Sequence, residues 1–517
     1  MIFVRIYWGN TLNDERFASL LRIVAEKKYM AMLLFCTVAS FGFEMTHPSL
    51  GIDDFGVDHY MSLDPSDSGN MLQQGRLLHL VFFYMLGLAD VVPFFGPFLG
   101  ACLLAVAALL LSACLEEASS RSFSWAELAL FSALFISYPV VAFKFIYDID
   151  VVVTMFSYAC CSAALYMGLL FEKSGERWLF VVQVILLMAS IGSYESFNAV
   201  FVCEVLFILS LRAIYDHSTV RQIIFSGLKY AAALLLAVVS YYAMVKFFQF
   251  ITENPAYARS NLISSGGSLW ESVDNVVSEL RASPFFFASE FALSLVLLAV
   301  IYAVHLVRSK KPILLLIAVG VFVFCFFIPV IQETIYWRSC QTFAPVLAFT
   351  GLMLLDLLSS RRFFSMVARV FLAIVVVMQI RDLNLWFYKD WQNYQKNVFA
   401  INVIATDLVS SHDISKPVCF VNRDYDSFLM TWDESQTEIG ESPIIASLGF
   451  LGEDTSSATR YLFEQQGYDF LLEPTPEQTL RALDSSEGMS AYPHDGYIKE
   501  LEDIIIVNFG DRYDDNL

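Results

Sequence analysis

"FFGPFLGACLLAVAALLLSACL", Phe94 to Leu115, runs for twenty-two residues without a charge. A helix needs about 20 apolar residues to cross the hydrocarbon of a bilayer, so this stretch makes the chain a membrane protein. The rest of the sequence agrees. Of 517 residues 57% are hydrophobic and only 16% charged, with a mean hydropathy of +0.58, well outside the balance of an average soluble chain.

Similar runs occur at Tyr29 to Phe43, Val91 to Leu115, Leu128 to Ala142, Val151 to Phe171, Trp178 to Gly192 and Ala199 to Leu211. Others follow at Tyr230 to Phe250, Glu290 to Val307, Ile313 to Ile331, Thr342 to Leu358 and Phe363 to Ile380. The expected fold is therefore α-helical and polytopic, with about eleven transmembrane helices. "LLHLVFFYMLGLAD", Leu77 to Asp90, is also apolar. If it crossed separately, every later connector would change sides, so it reads as an interfacial or broken extension of the second helix, interrupted near Pro93 and Pro97.

Lys and Arg in the connectors orient the bundle. One alternating set holds sixteen, from Arg5, Arg16, Arg22, Lys27 and Lys28 through Arg361 and Arg362. The other set, the tail apart, holds five: Arg76, Lys144, Arg259, Arg281 and Arg338. The richer side, with residues 1–28, is expected in the cytoplasm. Those first residues carry charges throughout and do not resemble a cleaved signal peptide.

Net charge is −20, and residues 381–517 hold 9 Lys and Arg against 25 Asp and Glu, so the acidity belongs to the tail. No basic footprint for nucleic acid is present. The nine cysteines form neither a CxxC metal motif nor a disulfide framework. Alternating segments such as "PVCFVN", "PIIASLGF", "ATRYLFEQQGYDFLL", "TPEQTLRALDSS" and "EDIIIVNFG" predict a small C-terminal α/β domain behind an amphipathic helix at Trp386 to Val409. The expected organisation is residues 1–28 as a cytoplasmic segment, 29–380 as the transmembrane domain with a first outer loop at 44–76, and 381–517 as an acidic extracytoplasmic domain.

With this orientation the polar stretches that carry chemistry share one membrane face. They are "GIDDFGVDHY" at Gly51, "YDID" at Tyr147, "SYESFN" at Ser193 and "QETIYWRS" at Gln332. Asp53 or Asp54 is a candidate general base, although the string also reads as an ordinary Asp/Gly turn. Asp148, Asp150 and Glu195 form a second acidic group. Guanidinium and ammonium groups bind phosphate, which nominates Arg338 first, then Arg259, Arg76 and Lys144. His47 and His59 flank the aspartate loop, so a divalent cation is compatible with it, yet neither a metal nor another cofactor is required. There is no P-loop, GxGxxG, HExxH or GxSxG. An activated group is thus expected to arrive on a lipid rather than as a nucleotide.

"GIDDFG" after the first helix, "QGRLLH" at the end of that loop, "YDID", "SYESFN" and the terminal "SAYPHDGYIKELEDIIIVNFG" resemble the GT-C class of polytopic glycosyltransferases. More narrowly they resemble the Gtr type II glucosyltransferases that modify bacterial O-antigen. The resemblance implies a bacterial inner-membrane enzyme that uses a polyprenyl-phosphate-linked sugar and a polysaccharide acceptor on the periplasmic face. Its other partners would be membrane lipids, a donor-synthesising transferase and a flippase. An aspartate of the first outer loop would act as base in an inverting displacement, which maps onto Asp53 or Asp54. The alternatives are a lipid-linked glycan transporter or flippase, which would more often show paired broken helices in both halves, and a polysaccharide polymerase.

Overall fold

The computed structural model describes residues 17–51, 54, 61–65, 70–86, 94–216, 218–254, 269–283, 285–422 and 457–510. The described residues of the eleven apolar runs are mostly helical, with breaks at Ser137 and Tyr138 and at Phe326. By length and composition seven helices among the described residues suffice to cross a membrane: Lys27–Thr46, Phe95–Ala118, Asp148–Ser174, Phe197–Tyr215, Val220–Ile251, Phe286–Ser309 and Arg362–Ser411. An eighth crossing forms if Trp125–Ile136 and Pro139–Phe145, bent by 41°, count as one. The bend falls where Pro139 removes a backbone donor and clashes with the preceding turn. Arg177–Ser193, Ile313–Cys325 and Phe343–Leu358 are shorter apolar helices, and Leu77–Leu86 is a separate helix of ten residues. Its ten described residues rise roughly 15 Å, about half the hydrocarbon thickness.

Local chemistry sets several helix starts. Ser124 and Glu127 close a reciprocal capping box before Trp125, and Thr219 with Gln222 does the same before Val220. Inside the bundle, buried hydroxyls pair with one another. Tyr29 reaches Ser112 at 3.1 Å and Ser132 at 2.9 Å, and those two serines lie 3.1 Å apart, so three helices share one polar triangle. Stacked rings fill the core elsewhere: Phe291 with Phe343 at 3.7 Å and Phe207 with Phe349 at 4.2 Å.

The chain forms two compact units. One comprises the described residues of 1–45, 59–145 and 150–384, and contains nearly the whole helical bundle. The other comprises those of 46–58, 146–149 and 385–517. In the second unit, β3 (Ile505–Asn508) lies at the centre of a three-stranded sheet. It pairs parallel to β1 (Val418–Val421) and antiparallel to β2 (Ile498–Glu500). Helices Ser457–Gln465 and Pro476–Ser485 complete it. Ile401, Ile404 and Leu408 from the end of the long helix pack with Phe420, Phe463, Ile505 and Phe509 in a fully buried cluster.

The tail therefore has the expected α/β character, with two differences. Strand β2 was not expected from the sequence, and the last apolar run continues into the amphipathic segment as one helix of 50 residues, Arg362–Ser411. No proline or glycine lies between Phe363 and Ser411 to break it. The expected strand at "PIIASLGF" lies outside the described residues.

Candidate active site

In the second unit, Asp54 is fully buried and acts as a clamp for the backbone. Its Oδ2 accepts the Gly51 N–H at 2.8 Å and its Oδ1 accepts the Ile149 N–H at 3.0 Å. Burial, and after it the Asp148 carboxylate, raise its pKa well above the ordinary carboxylate range, while the backbone donors pull the other way. Only glycine fits at position 51, because a Cβ there would meet the Tyr147 ring at 2.5 Å and the Ile146 carbonyl at 2.6 Å. Within this unit Ser49 also donates to Asp390 at 2.5 Å, and His47 packs edge-on against Trp391 at 5.4 Å. Asp53, Asp58 and His59 lie outside the described residues.

A second constellation belongs wholly to the helical unit. The bend at Pro139 leads into the short helix Ala142–Phe145, whose Lys144 is buried. Lys144 Nζ lies 2.7 Å from Asp150 Oδ2 and 3.9 Å above the Tyr194 ring. Asp150 Oδ1 lies 3.0 Å from His79 Nε2. Arg76, three residues before His79, stands over the same Tyr194 ring at 4.6 Å, with its Nε 3.9 Å from Glu195. Arg338 is an electrostatic neighbour of both Arg76 and Tyr194. Burial would raise the Tyr194 phenol, but Lys144 and then Arg76 outweigh it and hold the phenol below its ordinary value.

Hydrogen bonds to the backbone hold the segments that carry Arg76 and Arg338. The Tyr241 hydroxyl donates to the Gly75 carbonyl at 2.7 Å and accepts the Leu77 N–H at 3.0 Å, which fixes Arg76 between them. Gly75 has φ +82°, a conformation only glycine adopts readily. Arg338 sits in the single turn Trp337–Ser339. Its carbonyl accepts Gln341 Nε2 at 2.5 Å, and Gln341 Oε1 accepts the Ser196 hydroxyl at 2.8 Å. Upstream, Glu279 accepts the Ile335 N–H at 2.6 Å and the Thr334 hydroxyl at 2.9 Å.

Of the residues nominated from sequence, the structure brings Arg76, Lys144, Arg338, Asp150 and Glu195 together. Asp54 and Asp148 are neighbours of each other in the other unit, and Asp53 and Arg259 lie outside the described residues. Sequence reasoning missed His79 and Tyr194. Both sit inside quoted motifs, His79 one turn after Arg76 and Tyr194 directly before Glu195. Asp148 and Asp150 do not act as a pair, since two helical residues two positions apart point to different faces. Asp150 is instead the counter-ion of Lys144.

Arg76 Nε and His79 Nδ1 are both buried without a hydrogen-bond partner among the described residues, Glu195 reaching Arg76 only as an ion pair at 3.9 Å, and a buried N–H that no oxygen accepts is costly. No three His, Cys, Asp or Glu side chains converge on a metal position among the described residues.

Residues 42–380 match the family model described as Glucosyl transferase GtrII. No curated protein matches the chain. Among solved structures the chain is similar to the oligosaccharyltransferase of Archaeoglobus fulgidus, crystallised as a complex with Zn and sulfate, at 12% identity and a TM-score of 0.41. That similarity covers 84% of this chain and 66% of the other, so the chain spans just under two thirds of that relative's length. The family match runs from the end of the first long helix to the last apolar run, well over half of the sequence, and on that ground the chain belongs to the Glucosyl transferase GtrII family.

Proposed function

We propose that this protein transfers a hexose, glucose by its family, from a polyprenyl-phosphate donor to a hydroxyl of O-antigen or a related surface polysaccharide on the extracytoplasmic face of the bacterial inner membrane. The observation that supports this reading best is the group of three cations, Arg76, Lys144 and Arg338, around Tyr194, with the Arg76 Nε–H left without an acceptor. Such a group fits the phosphate of a lipid-linked sugar. Arg76 and Arg338 would hold the phosphate, and Lys144, engaged by Asp150, would act mainly by holding Tyr194 and the helix end in place.

In the reaction, the base takes the proton of the acceptor hydroxyl as its oxygen attacks the anomeric carbon. The bond from that carbon to the phosphate oxygen breaks, the electron pair leaves on polyprenyl phosphate, and the configuration inverts. Stabilising the departing phosphate supplies the electrostatic part of catalysis, and a phosphate leaving group needs little help from an acid. Asp53 is the better candidate for the base, because both oxygens of Asp54 are already occupied by backbone donors.

The test is transfer in detergent from a labelled polyprenyl-phosphate hexose to lipid-linked glycan. Native protein should transfer, Arg76→Ala and Arg338→Ala should lose most of the rate, and Asp53→Asn should lose transfer while still binding donor. A native protein that binds the lipid sugar and moves it across vesicles without transferring it would overturn the proposal.

A further inference from the structure

At the far end of the helix that starts beside Asp150, the bundle contains a second charged site. Lys173 closes the Asp148–Ser174 helix, and twenty-three residues separate it from Asp150, roughly 35 Å at 1.5 Å per residue. That length matches a bilayer of about 30 Å, so this site meets the opposite membrane surface.

The site is a cleft of about 800 Å³ between the end of that helix, the loop at Ser119 and the start of Val220–Ile251. Its acids are already engaged. Glu172 accepts Arg212 at 2.6 Å and the Tyr230 hydroxyl at 3.1 Å, Glu117 accepts Lys173 at 2.7 Å, and Asp216 accepts the Ser120 N–H at 2.9 Å. Two cations are less committed. Arg221 has no carboxylate partner among the described residues and rests 5.4 Å over the Phe225 ring, while Lys229 reaches Glu172 only at 3.8 Å. The Ser119 hydroxyl, buried against the cleft, has no hydrogen-bond partner among the described residues. The positive end of a 32-residue helix also opens here.

We propose that this cleft binds the phosphate-bearing headgroup of an anionic glycerophospholipid from the leaflet opposite the transfer site. Two features select a lipid over a soluble anion. The cleft lies at a membrane surface, and its Phe225 is exposed in line with exposed Ile224 and Leu228 on the same helix, an apolar rail for an acyl chain. Arg221 and Lys229 take the phosphate, and the Ser119 hydroxyl reaches the glycerol oxygens.

The test uses the full chain in mild detergent, with phosphatidylglycerol and phosphatidylcholine as probes and native mass spectrometry to count retained lipid. Native protein should retain phosphatidylglycerol in preference to phosphatidylcholine. The double variant Arg221→Ala, Lys229→Ala should lose that retention at least about fivefold, and the charge-preserving pair Arg221→Lys, Lys229→Arg should keep it. Both side chains are exposed, and an unchanged melting temperature checks the fold. Equal retention in the alanine pair, or no preference between the two lipids, would overturn the proposal. Displacement of the lipid by millimolar inorganic phosphate would overturn its lipid source and make this a site for a soluble phosphate.

Discussion

Lys144 Nζ sits 2.7 Å from Asp150 Oδ2, both side chains buried, with the Tyr194 ring closing the other side of the ammonium. Six residues and a helix break separate the two, so the pair ties the end of one membrane helix to the start of the next. Lys144→Met should therefore behave as loss of one half of a buried ion pair, costing about 3–5 kcal/mol. The double variant Lys144→Met, Asp150→Asn should recover most of that loss. Thermal unfolding of native protein, Lys144→Met, Asp150→Asn and the double variant in detergent measures it, and a single variant as stable as the double one would contradict the pairing.

Asp54 and Asp53 should separate cleanly. An amide at position 54 turns one acceptor into an NH₂ that faces a backbone N–H, and one buried donor left unsatisfied costs about 1–3 kcal/mol. Asp54→Asn should lower melting temperature and transfer together. Asp53→Asn should abolish transfer at an unchanged melting temperature. Melting curves alongside transfer rates distinguish the two, and an Asp54→Asn protein as stable as native but inactive would make Asp54 the base.

Much of this was legible in the sequence because membrane helices announce themselves residue by residue. The described residues of the eleven apolar runs are mostly helical, and the sparse Arg and Lys of the cation-poor connectors include the three, Arg76, Lys144 and Arg338, that gather around Tyr194. What escaped notice depended on partners. Nothing in "YDID" says that Asp150 belongs to Lys144, since the bend at Pro139 brings them together. His79 and Tyr194 looked like ordinary members of an apolar helix and an interface. The strand at Ile498–Glu500 is three residues long with two charges, which reads as loop until Ile505–Asn508 pairs with it. The continuity of Arg362–Ser411 was missed because hydropathy stops near Ile380 while helix propensity does not.

Tyr194→Phe keeps the ring beneath Lys144 and Arg76 but removes the hydroxyl. A hydrogen bond to a charged group contributes about 1.5–3 kcal/mol, so if the phenol meets the donor phosphate the variant should lose roughly tenfold or more in kcat/KM for the donor. Its melting temperature should not move. Steady-state kinetics at varied donor concentration measure this, and unchanged kcat/KM would make Tyr194 a support for the cations and nothing more.

The C-terminal unit carries its own acid sensitivity. Glu500 accepts Lys416 Nζ at 2.6 Å and lies 3.1 Å from His412 Nδ1, and these bonds, Lys416 first, hold its pKa below the ordinary 4.5. A carboxylate depressed in the fold contributes stability above its unfolded pKa and loses it as pH falls through the folded one. Melting temperature should therefore fall on acidification below about pH 4.5, less steeply in Glu500→Gln. The difference should shrink in high salt, because the pair is solvent-exposed. Parallel acid profiles for native and variant would remove Glu500 from the account.

Gly192 tests whether Arg76 is held by Tyr241. A Cβ at 192 would meet the Tyr241 ring at 2.5 and 2.8 Å and Leu78 Cδ1 at 3.0 Å, and overpacking of this kind typically costs about 1–3 kcal/mol. The ring must move, and with it the hydroxyl that accepts the Leu77 N–H and donates to the Gly75 carbonyl. Gly192→Ala should thus lower transfer through Arg76, and Tyr241→Phe, which removes the same hydroxyl without the clash, should lower it in the same direction. Gly42→Ala is the control, since among the described residues its Cβ meets Val38 at an ordinary 3.6 Å and nothing closer. It should leave transfer and melting temperature unchanged. If Gly192→Ala loses stability while transfer per folded molecule stays native, the Tyr241 hydroxyl does not position Arg76.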